Sequence, residues 1–140
     1  MAYMNKLVSV IFTILVIAIS PALAAAPASF TGEWADKNYL KGKGVFQLSL
    51  EQKGNDVSVF FSAGRSDGSG PDPEANGKGK VTGKGTVEFK WEDSFKNSGT
   101  GTVKRIGNEA LVSIKPRHVA DSRCLEFYGD NIRLKPAGKK

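Results

Sequence analysis

Beyond residue 30 the chain alternates apolar and polar residues in short runs, the period-two signature of half-buried strands. No long segment shows the 3.6-residue spacing of an amphipathic helix. A hairpin can be tested on sequence alone, because the correct turn must set apolar residues opposite apolar residues on one face. Four turns pass. Gly54-Asn55 as a two-residue loop sets Leu50 opposite Val59, Leu48 opposite Phe61 and Phe46 opposite Ala63. Gly107-Asn108 sets Val103 opposite Val112 and Gly101 opposite Ile114. Gly129-Asp130 sets Phe127 opposite Ile132 and Leu125 opposite Leu134. A three-residue loop, Gly83-Lys84-Gly85, sets Val81 opposite Val87, Gly79 opposite Phe89 and Gly77 opposite Trp91.

Extending the alternation places Gly101 beside Phe89 and Gly99 beside Trp91, so both aromatics have glycine on either flank. Gly77 and Gly79 then leave room for large rings while Lys78 and Lys80 point to water. With a first strand around Phe30 to Ala35, the pattern predicts an all-β fold: an antiparallel meander of about 8–9 short strands, closed as an up-and-down barrel or curled as a β-sandwich. The expected inward positions are Phe46, Leu48, Phe61, Phe89, Trp91, Val112, Leu125 and Ile132, and with this strand number such an interior is filled or admits one small apolar ligand. In a meander the tight turns fall at one end, and the longer connections (Asp36 to Lys43, Gly64 to Asn76, Asp93 to Ser98, Pro116 to Arg123) fall at the other. A Greek-key crossover would break that parity.

The first 24 residues read differently. Lys6, an apolar stretch from Leu7 to Ile19 and Ala22-Leu23-Ala24 are the three parts of a cleavable secretory signal, with Ala25 as the expected mature N-terminus. The stretch is too short for the roughly 20 residues that span a bilayer, so no membrane span is expected after cleavage. The expected organisation is a leader at 1–24, a short segment at 25–29, one β domain at 30–135 and a basic tail at 136–140, in the periplasm or outside the cell. All 16 glycines follow the leader, which favours turns and hairpins over helices. Lys6 is the leader's one charged residue, so its removal takes the net charge of +6 down by one; the two signs are interspersed. This is a mild bias toward an anionic envelope ligand or protein and not a nucleic-acid signature. Cys124 is the single cysteine, so no intrachain disulfide can form.

Phe30-Thr31-Gly32-Glu33-Trp34 opening a meander resembles the Gly-x-Trp first strand of lipocalin-like and avidin-like barrels, the calycins, over roughly residues 30–63. The resemblance implies a small barrel in which the first-strand Trp packs near a basic residue of the last strand; Trp34 and Arg133 are the matching positions. The further lipocalin motifs and the several tryptophans of an avidin-type biotin site are not present, so neither family's ligand carries over.

Chemistry-bearing clusters are few. Gly79 to Gly85 is a poor phosphate loop: its spacing is one residue short and no Ser or Thr follows Lys84. His118, Asp121 and Cys124 lie within seven residues, but Cys124 is expected to begin a strand, sharing the polar face with Glu126 and Tyr128, opposite Lys135, as an inert thiol. One His and one Cys make no zinc set, and Asp67, Asp72 and Glu74 match no calcium loop, so neither metal nor cofactor is expected. What remains is the long-loop end as a surface. Its binding candidates are Tyr39, Arg65, Asp67, Asp93, Asn97, Arg117, His118, Asp121 and Arg123, with Lys41, Phe95 and Lys96 nearby. The preferred reading is a non-enzymatic binding protein of the cell envelope. The alternatives are an enzyme inhibitor or protective protein acting through the loop at 64–76, and a small hydrolase using Asp93, Asp121 or His118.

Overall fold

The computed structural model describes residues 29–138, apart from Lys84; the expected leader at 1–24, most of the segment 25–29 and the last two residues of the tail lie outside the described residues. Eight antiparallel strands run in chain order and close into a barrel: β1 Gly32–Tyr39, β2 Gly44–Lys53, β3 Asp56–Arg65, β4 Glu74–Thr82, β5 Thr86–Asp93, β6 Ser98–Ile106, β7 Glu109–His118 and β8 Ile132–Pro136. A six-residue 3-10 helix, Ser122–Phe127, lies between β7 and β8. Closure is a meander with no crossover, sealed where Trp34 and Ala35 of β1 pair with Pro136 and Lys135 of β8.

The alternation sets the registers. Leu50 pairs with Val59 and Leu48 with Phe61 across β2 and β3; Gly79 pairs with Phe89 and Gly77 with Trp91 across β4 and β5; Val103 pairs with Val112 across β6 and β7. The turns between these pairs hold Gly54, Gly85 and Gly107 at φ 62°, 67° and 60°, where a Cβ would be strained. Phe89 and Trp91 are flanked by Gly101 and Gly99 on the other side, as expected. Two different physical causes require these glycines. A Cβ at Gly101 would overlap the Phe89 ring, whereas one at Gly99 would overlap the Lys115 carbonyl of the neighbouring strand. Glycine here accommodates a ring at one position and a close strand approach at the other.

The interior is filled. Phe46, Leu48, Phe61, Phe89, Trp91, Val112, Phe127 and Leu134 are all buried, with small residues such as Ala75 and Ala110 between them. Near the long-loop end the aromatics form a belt: Tyr39 meets Phe46 edge-on at 5.4 Å between centroids, Phe46 stacks on Phe61 at 5.7 Å, Phe61 meets Trp91 at 5.4 Å and Trp91 meets Tyr128 at 5.0 Å. Such pairs add roughly 0.5–1.5 kcal/mol each beyond area burial.

Two expectations require correction. The Gly129-Asp130 hairpin does not form, because residues 122–127 take the 3-10 helix in place of a strand. In a 3-10 helix positions three apart share a face, so Cys124 and Phe127 turn inward together, while Leu125 is 42% exposed. Cys124 is therefore fully buried and does not share an outward face with Glu126 opposite Lys135. The second correction concerns Trp34. Its basic neighbour is Arg105 of β6, whose guanidinium lies 5.2 Å from the ring centroid; Arg133 instead pairs with Glu109. Arg105 also donates to the Ser29 and Gly107 carbonyls, and Trp34 Nε1 donates to the Asn108 carbonyl at 3.0 Å, which closes the tight-turn end.

Candidate functional site

Three tight turns lie at one end of the barrel, and the connections at 40–43, 66–73, 94–97 and 119–131 lie at the other. The parity of a meander alone produces this arrangement; hydrogen bonds then tie the four connections into a ring. The Ser66 N–H donates to the Lys43 carbonyl, and the Ser94 N–H donates to the Glu74 carbonyl, both at 2.9 Å. Asn97 Oδ1 accepts from the Ala120 and Asp121 N–H groups at 2.8 and 2.9 Å. The circle closes where the Tyr39 hydroxyl donates to the Phe127 carbonyl at 2.8 Å and Arg65 forks onto both Glu126 oxygens at 3.0 and 2.8 Å.

At the centre of this ring is a buried polar cluster. The Asp93 carboxylate is 5% exposed and Asn97 is 0% exposed. Asp93 Oδ1 accepts from the Phe95 and Asn97 N–H groups, while Oδ2 accepts from Asn97 Nδ2 and from the Tyr128 hydroxyl. Burial and the hydrogen bond to Asp93 hold the Tyr128 phenol in its neutral form far above the ordinary range. Burial, reinforced by the charges of Asp93 and Asp121, pushes the Cys124 thiol up as well, which favours its protonated form. Tyr39 is pushed up to about 12 by burial and by the nearby Asp36 carboxylate.

The candidate residues thus fall into two groups. Tyr39, Arg65, Asp93, Asn97, Asp121 and Arg123 all meet on the segment from residue 120 to 128. Asp121 caps the 3-10 helix through the Arg123 N–H and pairs with the Arg123 side chain, whose hydrogen bonds hold the carboxyl below its usual range. Asp67, Arg117 and His118 stand apart. Asp67 accepts from the N–H and hydroxyl of Ser69 within its own loop, and Arg117 and His118 are exposed at the end of β7. Among the described residues, no three His, Cys, Asp or Glu side chains converge as a metal-binding group.

Tyr128 and Glu126 were missed as members of the site because the strand expected there turned them to the outer face. The signal that was available is the Asp121-Ser122-Arg123 capping sequence, which starts a helical turn. The arrangement commits both Asp93 oxygens to internal donors and buries Cys124. It does present a stitched rim on which Lys41, Lys96, Arg117 and His118 are exposed. No helix among the described residues is long and apolar enough to cross a membrane. No protein-family model matches this chain, and neither the curated proteins nor the solved structures include a significant match to it.

Proposed function

We propose that this chain is an exported, non-enzymatic binding protein of the cell envelope that holds an anionic ligand or partner at its long-loop end. The observation that carries the reading is the closed circle of hydrogen bonds around the rim, which orders four connections before any ligand arrives and so lowers the entropic cost of binding. Three rim loops also hold non-glycine residues in the left-handed region: Leu40 at φ 54° and Lys41 at 56°, Lys96 at 65°, and Asn131 at 53°. Backbone strain of this kind collects at binding sites, and here it fixes two exposed lysines on the rim. The filled interior favours a surface ligand over an internal one. The eight-stranded meander opened by Gly32-x-Trp34 supports a calycin-like architecture without supporting a lipocalin-type or biotin-type ligand.

Export rests on the tripartite leader at 1–24. The test is a pull-down from envelope extract, comparing the wild-type protein with an Arg65→Ala/Arg117→Ala/Arg123→Ala variant of equal stability. Loss of a specific partner supports the reading, and equal recovery by both proteins overturns the rim as the working surface.

One observation favours inhibition as a second reading. The loop at 66–73 is anchored by buried Pro71 and Pro73 and leaves its Gly68 to Gly70 tip exposed, the form of a preorganised plug. Shortening that tip should abolish inhibition of a target enzyme while leaving thermal unfolding unchanged.

A further inference from the structure

The outer face of β4 to β7 carries charge that the fold does not require. Lys78 and Lys90 are direct cross-strand partners, Lys90 neighbours Thr100, and Thr100 neighbours Lys115, so three lysines share one row across four strands. Like charges set opposite each other oppose folding, and any polar residue would satisfy the outward alternation. Lysines do protect exposed sheet edges from pairing, but Lys78 and Lys90 lie on strands paired on both sides at these positions. Among the described residues, Lys78, Lys90, Lys115 and Arg117 make no ion pair; Lys80 is neutralised by Asp56 at 2.9 Å.

The row lies in a groove of about 650 Å³. Its walls carry Lys78, Lys90, Lys115 and Arg117 with one further carboxylate, Glu88, and its lining includes Gly79, Gly101 and the hydroxyl side chains of Thr100, Thr102 and Ser113. Lys78 and Lys90 also border a second groove of about 760 Å³. There the half-buried Phe60 ring shares the lining with Asn76, Ser49 and Ser98, with Glu51 and Glu92 beyond. The lysine pair is thus a ridge shared by two troughs, one lined by hydroxyls and one by an aromatic ring with amide and hydroxyl neighbours.

We propose that this face binds an extended anionic polysaccharide, with the Lys78, Lys90 and Lys115 row and Arg117 meeting its acidic groups and Phe60 packing against a sugar ring. A pyranose has apolar C–H faces and hydroxyl edges, and the second groove supplies both kinds of partner. A lipid surface is flat and cannot follow two troughs. The row spans three strand spacings, about 14 Å, enough for several sugar-borne charges along one chain. This site meets the rim only at Arg117 and goes beyond the function proposed above.

The test is calorimetric titration of the purified protein with polygalacturonate, with dextran as the neutral glycan and phosphatidylglycerol vesicles as the anionic membrane. Polygalacturonate is expected to bind and dextran not, with affinity falling at least about tenfold between roughly 50 and 300 mM NaCl. A Lys78→Thr/Lys90→Thr/Lys115→Thr variant should bind at least about tenfold more weakly and melt at the same or a higher temperature, since it removes repulsion. An Arg65→Ala/Arg123→Ala variant, altered only at the rim, should bind as the wild type does. No binding to polygalacturonate, equal binding to dextran, tighter binding to vesicles, or loss confined to the rim variant overturns the proposal. Should the triple variant fail to fold, Lys90→Gln decides: unchanged affinity overturns the assignment and a several-fold loss upholds it.

Discussion

Asn97→Ala should be among the most damaging single substitutions in this protein. The amide is 0% exposed and makes four side-chain hydrogen bonds: Nδ2 to Asp93 at 3.2 Å and to the Tyr128 hydroxyl at 3.1 Å, and Oδ1 from the Ala120 and Asp121 N–H groups at 2.8 and 2.9 Å. Truncation orphans two backbone donors, removes one donor from a buried carboxylate and one from a half-buried phenol. An unsatisfied buried polar group costs about 1–3 kcal/mol. Ala120 is exposed and Asp121 is partly so, which lets water replace Oδ1 in part, whereas the buried Asp93 has no such relief. The sum is about 3 kcal/mol, a sizeable part of the roughly 5–15 kcal/mol that stabilises a domain. In thermal unfolding this is a fall of about 10–15 °C. Urea denaturation measures the loss directly, and amide exchange locates it: residues 120 and 121 should lose protection while β2 and β3 keep theirs until global unfolding. A loss below about 1 kcal/mol, or unchanged protection at 120 and 121, would refute the claim that Asn97 holds the rim together.

Three other outcomes follow from the same geometry. Gly101→Ala forces a Cβ into the Phe89 ring and should cost about 1–3 kcal/mol by urea titration, because a filled interior offers the ring nowhere to move. Stability should fall at alkaline pH: Tyr39 holds its proton more tightly folded than unfolded, so its contribution is complete below pH 10 and is lost as pH rises toward about 12. Discounted for partial exposure, that loss is on the order of 1 kcal/mol, with Tyr128 shifted in the same direction, and tyrosinate absorbance should rise together with unfolding. Cys124 should resist a disulfide-exchange reagent at mildly alkaline pH and react fully in denaturant; rapid labelling of the native protein would show that the 3-10 segment opens.

Much of the barrel was legible in the chain because three strand pairs, β2–β3, β4–β5 and β6–β7, are each joined by a turn short enough to fix its own register. Once Gly54-Asn55 is placed, the facing of Leu48 and Phe61 follows from alternation, and the same logic places Phe89 and Trp91 between glycines. Gathering of the longer connections at one end then follows from counting. The candidate rim residues were legible as a set, but their roles were not. Arg65, Asp121 and Asn97 look alike on paper as exposed loop residues, and only the fold reveals that the first two pair within the rim while the third is its buried centre.

Where local and distant forces competed, the sequence was insufficient. From Cys124 to Phe127 the apolar residues fit both a period of two and a period of three. Two hydrogen bonds that the Ala120 and Asp121 N–H groups donate to Asn97, 23 and 24 residues away, and a core site for Phe127 favour the second. Arg105 reaches Trp34 because barrel closure brings the ends of β1 and β6 to the same rim of tight turns, a proximity that no nearest-neighbour pattern encodes. Alternation and turn chemistry act over a few residues and so can be read from the chain. The conformation of a segment whose hydrogen-bond partners lie dozens of residues away is decided only once the barrel has closed.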